Sequence, residues 1–247
     1  MPSTSETGHA KNVANFEDLI SFCNGYGGTY NPSKAAFKIP ALQTQFANAQ
    51  NAINAVKTTQ TAFNNATNKR MEAFKPLKSL ATKIINALDA TDASAQTVKD
   101  AKTINRKIQG QRASTPKTTP PPADGSTPPP DKTISTSQQS YDQLIEHFSK
   151  LIELLVSDSN YTPNEADLTV AANQTKLAEL KTANTAVVDS YTAWSNSRIE
   201  RNNILYNPIT GLVTTALDVK KYVKSIFGAT SPQFKQVSGL EFKTRKD

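Results

Sequence analysis

Two long stretches of the chain place apolar residues at alternating steps of four and three positions. The first series is Leu42, Phe46, Ala49, Ile53, Val56 and Phe63, and the second is Leu177, Leu180, Val187, Tyr191 and Trp194, with polar Asn184 among them. This spacing keeps the apolar side chains on one face of an α-helix and is typical of helices that pack side by side. The pattern predicts two helices of about 35 residues, each about 50 Å long.

The two series belong to two copies of one longer pattern. The stretches YNPSKAAF, from Tyr30, and YTPNEADL, from Tyr161, share Tyr, Pro and Ala at an offset of 131 positions. Outward from this anchor, apolar and aromatic positions of the first half recur in the second at offsets of 131 or 132. We predict an all-α fold, an elongated helical bundle of two tandem copies of a unit that reads helix, Tyr-x-Pro turn, long helix, proline, helix. The copies are expected to pack as one bundle with pseudo-two-fold symmetry and antiparallel long helices.

The Tyr-x-Pro turn is interpreted as the start of each long helix. In the second copy, the T-x-x-E capping box Thr162–Glu165, with proline in the first turn, predicts a helix that opens there. In the first copy, Pro40 interrupts the opening turns, which predicts a looser start or a restart near that residue. Tyr30 and Tyr161 are expected to pack rather than to bind a ligand.

Both apolar series stop at the same level, where arginine stands at positions that should be apolar. Proline follows a few residues later, at Pro76 and Pro208, and a second apolar series then begins. Because proline removes a backbone donor and clashes with the preceding turn, each long helix is predicted to break or kink there. Arg70, Arg198 and Arg201 are the candidate residues of a polar cleft, with an end of the bundle facing water as the alternative.

Two segments without a core pattern, the N-terminal tail and a proline-rich stretch in the middle of the chain, set the boundaries of the copies. The stretch Ser114–Ser137 contains two proline triplets among small polar residues and cannot bury a core. The predicted organisation is a disordered tail over residues 1–12, a first helical repeat over 13–110, a Pro/Thr/Ser-rich linker over 111–139 and a second helical repeat over 140–247.

The net charge is positive, with 28 Lys and Arg residues against 21 Asp and Glu residues. The surplus gathers late in each copy, in one cluster between Lys99 and Lys117 and in another between Lys220 and Lys246. Such clusters can meet phosphate or an acidic surface. Aromatic residues are not interleaved with them, so any nucleic-acid binding is expected to be weak and non-specific.

Residues that could support catalysis or bind a metal are scarce. His9 lies in the predicted tail, and His147 is interpreted as a surface or boundary residue of a short helix. The single cysteine, Cys23, is expected to be a small buried apolar residue. No His or Cys pair has the spacing of metal ligands. The sequence predicts a protein that is not an enzyme, with no catalytic, cofactor-binding or metal-binding residues.

Two stretches, VKKYVKSIFGATSPQFKQVSGLEF and YTPNEADL, resemble segments of uncharacterised helical proteins from bacteria of the Bacteroidota group. The resemblance covers mainly the second copy. It implies a bacterial origin and no known activity, so no functional residue is carried over from it.

The expected function is that of a non-catalytic helical scaffold or adaptor that binds a macromolecular partner, another protein in first place, through its long amphipathic helices. The alternatives are a membrane-active or pore-forming helical protein and a weak electrostatic nucleic-acid binder. No stretch approaches the roughly 18 apolar residues of a membrane span, so no integral span is predicted. The N-terminus shows no export signal, which makes the cytoplasm the expected location and leaves non-classical export open. The partner and the oligomeric state stay open.

Overall fold

The computed structural model describes residues 4–111 and 139–244, and over these ranges the protein is helical without a β-strand. The all-α prediction is therefore confirmed. The helices are α1 (Thr4–Gly25), α2 (Ile39–Phe74), α3 (Leu77–Asp89), α4 (Ala95–Gln109), α5 (Tyr141–Ser157), α6 (Val170–Tyr206), α7 (Leu212–Phe227) and α8 (Pro232–Ser238). The predicted linker over 111–139 lies, apart from its first and last residues, outside the described residues.

The two long helices have the lengths and the ends that the pattern predicts. α2 has 36 residues and α6 has 37. α2 ends at Phe74, shortly before Pro76, and α6 ends at Tyr206, shortly before Pro208. A new helix begins after each proline, because proline cannot donate the backbone hydrogen bond that would continue the old one.

The start of α6 differs from the prediction. This helix begins at Val170, and the Thr162–Glu165 capping box lies in a loop that is not helical. Thr169 caps the helix instead, since its Oγ1 accepts a hydrogen bond of 3.2 Å from the backbone N–H three residues later. In the first copy α2 begins at Ile39, so the predicted restart near Pro40 is confirmed.

Each Tyr-x-Pro stretch forms a loop that is closed by its own tyrosine. The Tyr30 hydroxyl donates to the carbonyl oxygen of Phe37 at 2.7 Å, and the Tyr161 hydroxyl donates to that of Leu168 at 2.8 Å. Both tyrosines are buried. The packing role predicted for them is therefore confirmed, and the hydrogen bond fixes the chain just before each long helix.

The first helix extends into the segment predicted to be a disordered tail. α1 begins at Thr4, and His9 and Asn12 on it are buried. His9 Nδ1 is hydrogen-bonded to the Tyr206 hydroxyl, and Asn12 Nδ2 donates to the carbonyl oxygen of Lys243 at 2.9 Å. Over residues 4–12 the prediction of a disordered tail is therefore wrong. The sequence does not indicate these contacts, because the buried side chains are polar and their partners lie 197 and 231 positions away.

The chain divides into two compact units, each described by itself. Unit 1 comprises Met1–Asn64 and Asp189–Asp247, and unit 2 comprises Asn65–Val188. Each unit contains parts of both predicted repeats, because α2 and α6 contribute one segment to each unit. The predicted pseudo-two-fold symmetry stays a prediction.

Each unit has its own apolar core. The core of unit 1 draws its fully buried residues mainly from α1 and α7, among them Phe16, Leu19, Leu212, Ala216 and Val219. The core of unit 2 is formed mainly by α3, α4 and α5, with Leu77, Ile84, Leu88, Ile108, Phe148 and Leu151.

Within unit 1, the segments of α2 and α6 run antiparallel. The hydroxyl oxygens of Thr59 and Ser197 are 2.8 Å apart, and the ring centres of Phe63 and Trp194 are 5.4 Å apart. Residue numbers rise along α2 while those of its partners on α6 fall. The antiparallel order expected for the long helices therefore holds within this unit.

Candidate functional site

The three arginines predicted to line a polar cleft fall in different compact units. Arg70 belongs to unit 2, whereas Arg198 and Arg201 belong to unit 1. Arg201 is 1% exposed and donates from Nε and Nη2 to Asn202 Oδ1 at 3.2 and 2.8 Å. The Arg198 guanidinium lies 5.2 Å from the ring centre of Trp194. A shared polar cleft stays a prediction, and each arginine has partners of its own.

Arg70 links three helices of unit 2. Its Nη1 donates to Asn184 Oδ1 at 3.0 Å, and Asn184 Nδ2 donates to Asp142 Oδ1 at 2.8 Å. The guanidinium also lies 4.0 Å from the ring centre of Tyr141, within the range of a cation–π contact. These contacts explain why the polar Asn184 interrupts the apolar series of α6, and they hold the Tyr141 ring from one side.

Tyr141 also lines an apolar groove of unit 2, between the end of α2 and the beginnings of α3 and α5. Its ring meets that of Phe74 nearly edge-on, with 4.7 Å between the ring centres. The groove has a volume of about 460 Å³, and Met71, Leu77 and Leu144 complete its apolar lining. Met71 is 56% exposed, whereas Phe74 and Leu77 are buried. The groove offers a preformed apolar floor that is open to solvent at Met71.

Charged side chains line the same groove. These are Lys75 and Lys78, with Glu72 as the acidic member. The Lys78 ammonium lies 3.3 Å from the carbonyl oxygen of Gln109, which restrains it beside the groove. Two positive charges against one negative charge favour a partner segment that carries acidic residues.

The periodic pattern does not reveal this groove. Met71 lies off the apolar series of α2, and Tyr141 and Leu144 come from a helix that the pattern does not relate to it. The signal available in the sequence is Met71, an apolar residue off the series and five positions before Pro76.

The thiol and the imidazole considered for catalysis are both buried. Cys23 lies in the core of unit 1, where burial raises its pKa to about 12 against the lowering effect of its hydrogen bond with Tyr30. The interpretation of His147 as a surface or boundary residue is wrong, because α4 packs on α5 and leaves the residue only 4% exposed. Its Nε2 has no hydrogen-bond partner. Burial lowers the pKa of His147, and the nearby Lys107 and Lys150 lower it further. Both environments favour the uncharged form.

Two lysines of the C-terminal basic cluster, Lys220 and Lys221, have partners within unit 1. Lys220 Nζ donates to the carbonyl oxygens of Ser238 and Leu240 at 3.0 and 2.8 Å, where α8 ends. Lys221 Nζ lies 2.9 Å from Asp218 Oδ1. The Lys220 contact is of a common kind, in which a lysine ammonium donates to the carbonyl oxygens at the end of a helix. Four further members of the two basic clusters lie outside the described residues: Arg112, Lys117, Arg245 and Lys246.

Among residues 4–111 and 139–244, no group of three or more His, Cys, Asp or Glu side chains is placed to hold a metal ion. In that same part of the chain, no helix combines the length and the apolar character needed to cross a membrane. Comparison with protein-family models, with curated proteins and with solved structures finds no match to the chain.

Proposed function

We propose that the protein is a non-catalytic helical adaptor that binds another protein through the apolar groove of unit 2. The observation that carries the proposal is the exposure of Met71 at the edge of a groove whose floor is buried and aromatic. Methionine adapts its shape to different apolar partners, and aromatic residues are frequent anchors of protein interfaces.

The floor of the groove is held in place before any partner binds. Phe74 packs against Tyr141 from one direction, and the Arg70 guanidinium lies over the Tyr141 ring. Arg70 is in turn fixed by Asn184. Because little side-chain freedom remains to be lost on binding, a partner side chain can enter this groove at a low entropic cost.

The partner segment that fits best carries one large apolar residue with acidic residues beside it. The apolar side chain would enter the groove and cover Met71, while the acidic residues would meet Lys75 and Lys78. Such pairs at the edge of an interface contribute mainly to specificity and to the association rate. Their contribution should decrease with salt.

Selection from a library of random short peptides tests the proposal on the full-length protein. Enriched peptides are expected to share a large apolar residue flanked by Asp or Glu. Met71→Lys is expected to weaken the binding of such a peptide about tenfold or more, because the new charge would lose water on binding. The double variant Lys75→Ala with Lys78→Ala is expected to bind more weakly and with less dependence on salt.

Ile199→Lys is the matched control, because Ile199 is a 64% exposed apolar residue of unit 1. Circular dichroism verifies that each variant keeps its helices. A peptide whose binding is unchanged by Met71→Lys, or is weakened equally by Ile199→Lys, would contradict the proposed groove. Selection of peptides without a shared apolar residue would contradict it as well.

A further inference from the structure

A second pocket, of about 460 Å³, lies open to solvent on unit 1. It is bordered by the beginning of α2, the end of α6 and the first half of α7. Its lining differs from that of the groove in unit 2 because it is rich in side-chain amides and hydroxyls. Small-molecule sites commonly have a volume of this size and a few polar groups that fix the orientation of the ligand.

Three carboxamides in this pocket retain hydrogen-bonding capacity. Gln45 Nε2 donates to the carbonyl oxygen of Thr210 at 2.8 Å and to a threonine hydroxyl at 3.3 Å, which leaves Gln45 Oε1 as an acceptor. Asn203 Oδ1 accepts from Asn207 Nδ2 at 3.2 Å, which leaves the Asn203 amino group as a donor. Asn48 also borders the pocket, and its side-chain amide is exposed. The pocket therefore offers donors and acceptors side by side.

The charges around the pocket are balanced. Lys34 and Asp218 are its two charged residues, one of each sign. The Lys34 ammonium lies 4.3 Å from the ring centre of Phe37, and Asp218 Oδ1 accepts from Lys221 at 2.9 Å. Each charge thus has a partner within the protein, and neither favours a strongly charged ligand.

Apolar side chains complete the lining. Phe37, Ile204 and Ile209 border the same cavity as the amides, and Ile209 is a largely exposed residue. A ligand that matches both kinds of surface has hydroxyl groups around its edge and C–H groups on its faces.

We propose that this pocket binds a small neutral molecule with several hydroxyl groups, of the chemical class of monosaccharides and cyclic polyols. A hydroxyl group both donates and accepts, so it can pair with Gln45 Oε1, with the amino group of Asn203 and with either end of the Asn48 amide. The C–H faces of the ring contact Ile204 and Ile209. This inference concerns unit 1 alone and does not depend on the groove of unit 2.

An NMR titration of the full-length, ¹⁵N-labelled protein tests the inference. The neutral probes are D-glucose, D-galactose, N-acetyl-D-glucosamine and myo-inositol, and the charged counterparts are D-glucuronate and D-glucosamine. At least one neutral probe is expected to shift the backbone signals around Gln45 and Asn203 until saturation. The double variant Asn48→Leu with Asn203→Leu is expected to weaken this binding about tenfold. Asn51→Leu changes an exposed amide of α2 outside the pocket and is expected to leave binding unchanged.

Saturable shifts at these positions that are lost in the double variant and kept in the control would support the inference. Three results would overturn it: no saturable shift with any of the four neutral probes, tighter binding of a charged counterpart, or neutral binding that persists in the double variant. The spectrum of the double variant also shows whether it has folded.

Discussion

A single phenol hydroxyl closes each Tyr-x-Pro loop. Burial raises the pKa of Tyr30 and raises that of Tyr161 to about 12. Both hydroxyls therefore keep their proton throughout the neutral range and remain able to donate to the carbonyl oxygens of Phe37 and Leu168. The same hydrogen bond thus recurs in both copies of the repeated stretch, in one compact unit each.

Replacing either tyrosine by phenylalanine should destabilise the protein. In Tyr30→Phe the ring can still pack, but the Phe37 carbonyl oxygen loses the donor of its hydrogen bond, which costs about 1 kcal/mol and more if no water replaces it. In Tyr161→Phe the Leu168 carbonyl oxygen keeps its hydrogen bond from Asn173 Nδ2 at 3.0 Å, so the loss of stability should be smaller. Urea unfolding of each variant measures the change. Tyr191→Phe is the control, because Tyr191 is 51% exposed and should tolerate the loss of its hydroxyl. Equal stability of the loop variants and the wild type would show that the hydrogen bond does not stabilise the loop.

The buried His147 makes stability depend on pH. Its folded pKa is lowered first by burial and then by Lys107 and Lys150, while Glu146 acts in the opposite direction. In the unfolded chain the imidazole returns to an ordinary pKa of about 6.5, so the unfolded state binds the proton more readily. The contribution to stability is therefore complete above the ordinary pKa and is lost as the pH falls through that value toward the lowered one.

Replacing His147 by leucine should remove this part of the pH dependence. Between about pH 7 and about pH 5, the urea midpoint of the wild type is expected to fall more steeply than that of His147→Leu. Leucine can fill the buried position without gaining a proton. Midpoints measured at several pH values test the difference in slope, and parallel curves for the two proteins would contradict the role assigned to His147.

At the scale of whole elements, the start of α6 shows how a local signal can fail. The Thr162–Glu165 capping box is a good helix start by sequence. The Tyr161 hydroxyl, however, donates to the carbonyl oxygen of Leu168, a group that a helix opening at Thr162 would use for its own backbone. Burial of the tyrosine ring and closure of the loop therefore outweigh the cap. The sequence contains the tyrosine but does not show which carbonyl it binds.

The chain after α8 is held on α1 by contacts that no local pattern indicates. The Asn12 side chain donates to the carbonyl oxygen of Lys243 at 2.9 Å and accepts from its backbone N–H at 3.0 Å. Asn15 Nδ2 donates to the carbonyl oxygen of Glu241 at 2.7 Å. One side-chain amide thus pairs with both the carbonyl oxygen and the N–H group of Lys243.

Asn12→Ala should release this segment from α1. The Lys243 amide is expected to be protected from hydrogen exchange in the wild type and to exchange faster in the variant, because it loses its acceptor. The Gly228 amide, which donates to the Lys224 carbonyl within unit 1, is the internal control and should keep its rate. Unchanged protection at Lys243 would show that contacts other than Asn12 hold the segment.

For the molecule as a whole, the periodic pattern is informative about buried faces and silent about polar sites. Leu42, Val56 and Leu180 are buried as their place in the apolar series predicts. The groove at Met71 was missed because its walls come from separate series. The amide pocket at Asn203 was missed because polar residues on a polar face have no periodic signal. Which distant segments pack together is decided by tertiary structure. A single sequence indicates this packing only through its internal repeat.

Each compact unit requires both halves of the chain. In unit 1, the Tyr26 hydroxyl of the first half donates to the carbonyl oxygen of Gln233 at 2.9 Å, and α1 packs on α7 in one apolar core. In unit 2, Ile108 of α4 shares a core with Phe148 and Leu151 of α5. The helices on either side of residues 112–138, α4 and α5, therefore pack directly on each other.

Cutting the chain within residues 112–138 should consequently leave the two fragments associated. A specific protease site is inserted there, and the protein is cut with that protease. Burying one large apolar side chain contributes about 1.5 to 3 kcal/mol, so the several that each fragment buries against the other should exceed the roughly 8 kcal/mol of a micromolar Kd. The fragments are expected to co-elute in size exclusion, and the fluorescence of the single tryptophan, Trp194, should match that of the uncut insertion variant. Fragments that separate at micromolar concentration while each keeps its helices would mean that each half folds alone. Such a result would contradict a unit 1 core shared by α1 and α7, because that core cannot survive without both.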